Sequence, residues 1–240
     1  MCPRVVREGM TESFDADRVA VVTFDSFGTL VDTTSAARVL EDLVADPAAV
    51  ARRWRSNALT YSTVANDLDQ YRTYFELHLE GLRDALRAEG VDLPQERLRE
   101  LNTVYHDLDP VEGAAAAVRR LAEAGYRPSV CSNGDPEMLD GLAASAGIEE
   151  TVTELVSADE IQRLKPAREL YEHTATRLGV EPDRIAHVTA HWVDVQGGMN
   201  AGMQGVHLRR EGTGGEWPSF GPEPTLTVDS FGALCERLGA

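Results

Sequence analysis

The sequence predicts an α/β fold, a parallel sheet core with an inserted helical cap domain. Three observations lead there. Short β-branched apolar runs recur without polar alternation, as strands covered on both faces read. Each run ends in polar or small residues and is followed by a helical pattern, the rhythm of an open α/β sheet. One long stretch, residues 35–108, interrupts that rhythm with helical periodicity alone.

Residues 1–17 are polar and charged and read as a loosely ordered extension, with Met10 an alternative start. The run 19–24 is the first strand, ending in Asp25-Ser26-Phe27-Gly28-Thr29. Within 35–108, Trp54, Ala58 and Tyr61, then Phe75, Leu79, Leu82 and Leu86, recur at three and four residues. That spacing predicts helices near 36–46, 48–66, 70–89 and 95–106. The core resumes with a helix over 111–124 and a strand over 128–131 that ends in Ser132-Asn133-Gly134. A helix over 135–146 and another over 166–178, opened by Lys165-Pro166, lead to a strand over 184–188 that ends at Thr189. A helix at 195–203 and a strand at 205–208 follow, then a Gly/Pro-rich connection at 210–225 and a last helix at 230–238. The core is thus 1–34 with 109–240, and the cap is 35–108.

Forty Asp and Glu against 23 Lys and Arg leave the 240 residues with a net charge of −17. Such a surface repels phosphate backbones and anionic lipid, which argues against nucleic acid and membranes as partners. No apolar run reaches the roughly 18 residues of a transmembrane helix, and the first residues lack the apolar centre of a signal peptide. Cys2, Cys131 and Cys235 are odd in number and widely spaced, so the expectation is a cytoplasmic protein without disulfides. A carboxylate-rich, lysine-poor chain suits a halophilic source, where a Debye length of roughly 3 Å at 1 M salt screens self-repulsion. A genome biased toward Arg codons explains the composition equally well.

Ligands of open α/β sheets bind at the carboxyl ends of the strands, where the polar residues collect here. Asp25, at a strand tip before a glycine turn, presents a carboxylate that can attack an electrophile and form a covalent ester. Taken alone, the same pattern also describes an Asp that caps a helix. Lys165 is the single lysine in the chain, beside 22 arginines. A planar guanidinium does not replace a compact ammonium pressed against a carboxylate, which favours a functional Lys165. His78, His106, His173 and His207 lack metal-ligand spacing and read as surface or partly buried side chains. Gly197, Gly198, Ala201 and Gly202 read as a helix face that packs closely on the sheet.

Four motifs stand in order: Asp25 to Thr29, Ser132-Asn133-Gly134, Lys165-Pro166, and Thr189 to Met203 with Asp194. Across residues 19–210 they resemble the motifs of the haloacid dehalogenase (HAD) superfamily. The resemblance implies a Rossmann-like core, a mobile cap and Asp25 as nucleophile. Phosphatases of the superfamily carry a second Asp two positions after the nucleophile, and a further acid that helps to hold Mg²⁺. Phe27 and Ala190 occupy those two places here. Loss of a positioned general acid costs about 10²–10⁴-fold, whereas a halide leaves without a proton. Both departures resemble the L-2-haloacid dehalogenase branch, which needs no metal or other cofactor. Trp54-Arg55 with Leu59 and Tyr61, and Lys165-Pro166 with Tyr171, add to that likeness.

The resemblance implies a role for each matching residue. Asp25 attacks C2 of a short (S)-2-haloalkanoic acid and displaces halide with inversion, which yields an (R)-2-hydroxy acid. Lys165 keeps Asp25 ionised, and Thr29 orients it. Ser132, with Ser26 and the backbone NH groups after Asp25, holds the substrate carboxylate. Arg55 and Asn133 receive the halide. Asp194 positions or deprotonates the water that cleaves the ester, and Tyr171 and Thr189 support Lys165 and Asp194. Phe27 and Leu59 wall the alkyl group. His191 stands where the branch carries Asn, so it reads equally as a water-placing base near neutral pH and as a loop histidine. A homodimer through the cap is also implied. Two alternatives stay open: a Mg²⁺-dependent phosphatase or phosphotransferase, and a HAD-fold protein that binds a partner or small anion without turnover.

Overall fold

The computed structural model describes residues 13–210 and 217–240. The N-terminal extension with Cys2 and Met10, and the middle of the 210–225 connection, lie outside the described residues. Six parallel strands form one sheet: β1 (Val21–Phe24), β2 (Arg127–Ser132), β3 (Leu155–Ser157), β4 (Ile185–Thr189), β5 (Gln204–Leu208) and β6 (Leu226–Val228). Their order is β3-β2-β1-β4-β5-β6. Every residue of β1, β4 and β5 is buried, which is why these strands read as unbroken apolar runs. β1 is paired on both edges, with Val21 opposite Arg127 and Ile185, and Phe24 opposite Val130 and Val188.

The chain lays down β1, β2 and β3 outward on one side, then returns to build β4, β5 and β6 on the other. Connections therefore diverge from the carboxyl ends of β1 and β4, and the crevice between them is the topological switch point where such sheets bind ligands. Among the described residues five helices belong to this part: α4 (Ala114–Glu123), α5 (Pro136–Ser145), α6 (Arg168–Leu178), α7 (Trp192–Asn200) and α8 (Phe231–Arg237).

Between β1 and α4 the chain is helical only, with α1 (Pro47–Asp67), α2 (Tyr74–Ala88) and α3 (Gln95–Asn102). The start of α1 has Pro47 in its first turn and Asp46 accepting from the Ala49 N–H. Thr73 and Glu76 form a reciprocal capping box on α2. The helices meet around Trp54, which is fully buried and donates through Nε1 to the His78 carbonyl at 2.8 Å. The two ends of this excursion run side by side. The Asp32 N–H donates to the Asp109 carbonyl at 2.7 Å, and the Val111 N–H to the Leu30 carbonyl at 2.9 Å.

Several expectations change. The helix expected over 36–46 is a 3₁₀ turn set, Thr33–Leu40. Asp32 captures the Thr34 N–H at 2.9 Å at its start, and Pro47 bars the preceding residue from continuing a helix into α1. β3 and β6, three residues each, were not predicted because so short a run carries no period. His78 and His207 are buried rather than surface or partly buried side chains. His78 lies on the inner face of α2 against the rings of Tyr74, Tyr105 and Trp54, which supply the burial that its spacing did not reveal.

That burial has a measurable cost. Burial, with Arg55 adding to it, pushes the His78 imidazole from 6.5 down to about 3. Above pH 6.5 both folded and unfolded chains hold this group neutral; below it, only the unfolded chain takes up the proton. Its contribution to stability is therefore complete above about 6.5 and lost as the pH falls toward 3, at up to about 1.4 kcal/mol per pH unit. His78→Phe is expected to resist acid better than the parent chain. Urea midpoints of the two that fall in parallel between about pH 8 and pH 4 would contradict this.

Candidate active site

Asp25 is the first residue beyond β1, and its N–H donates to the Val188 carbonyl at 2.9 Å, carrying the ladder one step past the strand. The chain then folds back tightly, with the Leu30 and Val31 N–H groups on the Ser26 carbonyl at 2.9 and 3.2 Å. This turn needs a left-handed residue, Gly28, at φ +91°. It places Thr29 so that its hydroxyl donates to Asp25 Oδ2 at 2.9 Å while accepting from the Ala190 N–H at 3.1 Å. A Cβ at Gly28 would sit 2.7 Å from His191 Nε2 and 2.9 Å from Arg55 Nη2. Gly28→Ala is thus expected to cost about 1–3 kcal/mol of stability, read by denaturant unfolding, from backbone strain together with that crowding.

Opposite Asp25 stands the single lysine. Lys165 Nζ donates to Asp25 Oδ1 and to Asp194 Oδ2, each at 2.8 Å, and all three side chains are more than nine-tenths buried. Its backbone is pinned just as firmly. The Lys165 N–H donates to Asn133 Oδ1 at 2.6 Å, and the Asn66 side-chain amide closes both hydrogen bonds with Leu164. Asp194, in the first turn of α7, accepts at Oδ1 from Tyr171 at 2.7 Å, and His187 Nε2 lies 3.0 Å from the same oxygen. Gly197 makes room for this arrangement, since a Cβ there would lie 2.4 Å from the Tyr171 hydroxyl.

The electrostatics follow from these contacts. Burial alone would keep the Asp194 carboxyl protonated, but the Lys165 ammonium and His187 outweigh it and hold the group well below the usual carboxylate range. Burial likewise opposes a charged Lys165, and the carboxylates of Asp194 and Asp25 hold it above its ordinary value. Tyr171 is driven far up by burial and by Asp194, so it remains a donor.

A cavity of about 230 Å³ opens beside the cluster. Of the sequence-predicted site residues, Asp25, Phe27, Arg55, Leu59, Asn133, Lys165, His191 and Asp194 line it. Thr29, Tyr171, Thr189, Ser26 and Ser132 are buried behind that wall. The two serine hydroxyls lie 2.6 Å apart, and Ser132 also accepts from the Gly134 N–H. Asn133 spends its carbonyl on Lys165, which leaves its amide NH₂ as a donor beside the cavity. Arg55 reaches from α1 to the Phe27 carbonyl at 3.1 Å and to His191 Nε2 at 2.6 Å. His191 Nε2 also lies 3.1 Å from the Phe27 carbonyl; toward the closer guanidinium, which only donates, it accepts as the neutral ring. Burial, reinforced by Arg55, lowers the His191 pKa and keeps it so.

A profile of the haloacid dehalogenase-like hydrolases matches residues 19–202, over three-quarters of the chain. The chain belongs to the haloacid dehalogenase-like hydrolase family. Among its relatives, (S)-2-haloacid dehalogenase 4A of Burkholderia cepacia is 30% identical over 86% of this chain and 89% of its own. A solved dehalogenase structure, 29% identical, superposes with a TM-score of 0.86 over 93% of this chain and 99% of that one. The L-2-haloacid dehalogenase of Xanthobacter autotrophicus, solved with chloropropionic acid covalently bound, shares the fold at 24% identity. Its TM-score is 0.87, over 92% of this chain and 99% of that one.

Sequence reasoning missed several parts of this haloacid dehalogenase-like site. Tyr74, Thr63 and Trp192 also line the cavity, Tyr74 with its ring 5.7 Å from that of Phe27. Asn66 fixes the strand-end loop from α1, 98 positions away. His187 sits inside a strand run, where it read as part of an apolar segment. No described helix is long and apolar enough to cross a membrane.

Proposed function

We propose that the chain is a hydrolytic dehalogenase that converts short (S)-2-haloalkanoic acids into (R)-2-hydroxy acids and halide, through an ester on Asp25 and without metal. One observation carries the reading: the Lys165 ammonium bridges Asp25 and Asp194 at 2.8 Å each, beside an apolar wall that holds Phe27 where a proton donor would serve a phosphatase. The substrate class comes from the relatives named (S)-2-haloacid dehalogenase.

In this reading Asp25 Oδ attacks C2, the C2–halogen bond breaks with its electron pair, and halide leaves toward Arg55 and the Asn133 amide. Among the described residues Arg55 has no ion-pair partner, and the Phe27 carbonyl and the neutral His191 ring hold its guanidinium. Phe27, Leu59 and Tyr74 enclose the alkyl group. Water next attacks the Asp25 carbonyl carbon. One of its protons passes by way of Asp194 to the departing alkoxide, and the other is released to solvent as the Asp25 carboxylate is restored. Residues 35–108 act as the cap that excludes bulk water over the core of 1–34 and 109–240. Val64 on α1 and Leu68 just past its end, exposed at 47% and 58%, support pairing of two copies through the cap. The charge of −17 supports a salt-rich cytoplasm as the working environment.

The test is release of chloride from each enantiomer of 2-chloropropionate, in molar salt with EDTA. Chloride from the L enantiomer with D-lactate as product is the expected result. A folded protein that releases none, yet hydrolyses a phosphate ester with Mg²⁺, would overturn the reading in favour of a phosphatase. Silence with both substrates would leave a protein that binds without turnover.

A further inference from the structure

His187 is a fully buried titratable side chain that touches the reacting cluster and has no part in the steps above. It lies on β4, with no surface exposed, and its ring meets that of Tyr171 edge-on at 5.5 Å. Both of its nitrogens are engaged. Nε2 is 3.0 Å from Asp194 Oδ1, and Nδ1 is 2.9 Å from the Thr23 hydroxyl on the neighbouring central strand. Asp194 is an acceptor, so Nε2 carries a proton and donates. The neutral ring then accepts at Nδ1, and Thr23 is the donor. Asp194 thus sets the tautomer of His187, and the Thr23 hydroxyl anchors the other ring nitrogen and with it the direction of Nε2.

We propose that His187 is a positioning residue for the second half of the reaction, holding Asp194 in the orientation that brings water onto the Asp25 ester. This rests on the function proposed above. The geometry separates the two halves. Lys165 reaches both carboxylates and serves both steps, whereas His187 reaches Asp194 alone and makes no contact with Asp25 or with the cavity. Two donors meet on Oδ1, from Tyr171 and His187. With Lys165 on Oδ2, they fix the carboxylate against rotation. Without the imidazole, Oδ1 keeps Tyr171 alone and Oδ2 keeps Lys165 alone, so each oxygen rests on a single hydrogen bond. A misplacement of about 1 Å at such a point costs on the order of 10²-fold in rate.

The consequence is a split between kinetic constants. The quotient kcat/KM reports steps up to the first irreversible one, carbon–halogen cleavage, whereas ester hydrolysis enters kcat alone. His187→Phe keeps the ring shape and removes both nitrogens. It is expected to slow decay of the Asp25 ester in single-turnover quench experiments by about 10–100-fold. Intact-protein mass spectrometry should then find the ester accumulating, with kcat and KM falling together and kcat/KM preserved. His187→Gln, which restores a donor toward Asp194, should recover part of the hydrolysis rate. Thr23→Val, the same shape without the hydroxyl, gives a second and milder route to the same phenotype where His187→Phe folds poorly.

Ester decay at the parent rate in folded His187→Phe or Thr23→Val would overturn the assignment. So would a loss of kcat/KM as large as that of kcat, which would mark a structural role. A parent protein that forms no ester and releases no halide would overturn the function itself, and the role of His187 with it.

Discussion

Asp25→Asn is expected to abolish halide release, by at least about 10⁴-fold, because the other carboxylate on the cavity, Asp194, is held on both oxygens by Lys165, Tyr171 and His187. Asp25 stands at the end of the central strand with its backbone held by Val188 and its carboxylate held by Thr29 and Lys165. The amide has nearly the same shape, and Asp194 continues to neutralise Lys165, so the folded state should persist. The measurement is chloride release at saturating substrate, with a circular dichroism spectrum matching the parent. Retention of even a hundredth of the parent rate would mean that Asp25 is not the attacking group.

Lys165→Met has the largest expected effect on stability. It leaves two buried carboxylates facing each other without the ammonium that now bridges them at 2.8 Å. Breaking a buried pair by removing one partner costs about 3–5 kcal/mol. The loss should be greatest at neutral pH and shrink in acid, because one carboxylate of the orphaned pair takes up a proton far more readily than before. In the parent the sign is opposite: the folded pKa of Asp194 lies below its ordinary 3.8. Its contribution is present above that value and lost as the pH falls below it. Lys165→Arg keeps the charge and tests shape alone. The planar fork cannot meet two converging carboxylates as a point charge does, so most activity is expected to go with a smaller loss of stability. Near-full activity of that variant, or a Lys165→Met chain as stable as the parent at pH 7, would contradict the assignment.

The parts of the molecule legible in the sequence are those where one physical demand acts along consecutive residues. Val21 to Phe24 must be apolar because both faces of β1 are covered, and Asp25 follows because the crevice opens there. The same logic exposed Ser132-Asn133, Lys165 and Thr189 as ends of strands or starts of helices. What remained hidden depends on pairs far apart in the chain. Arg55 and His191 are 136 positions apart and meet at 2.6 Å, a contact that no local spacing encodes. Asn66 and Leu164 are another such pair. His187 was concealed for the opposite reason, because a histidine whose nitrogens are both satisfied fits a buried strand as an apolar residue would. Ser132 and Ser26 were visible as polar residues at strand ends, but their bond to each other, one layer behind the cavity, depends on the packing of two strands.

One feature of the composition makes this protein its own reporter. The chain has a single ε-amine, and that amine is 8% exposed and clasped by two carboxylates. Amine-directed reagents therefore find no side-chain amine to modify while the cluster is closed. Acylation of Lys165 under native conditions then counts openings of the reaction centre, free of the background that lysine-rich enzymes impose. An anionic ligand that tightens the helices over the crevice should slow that labelling, and conditions that loosen them should speed it. The same group that steadies the reaction centre is thus a clock for how often the centre comes apart.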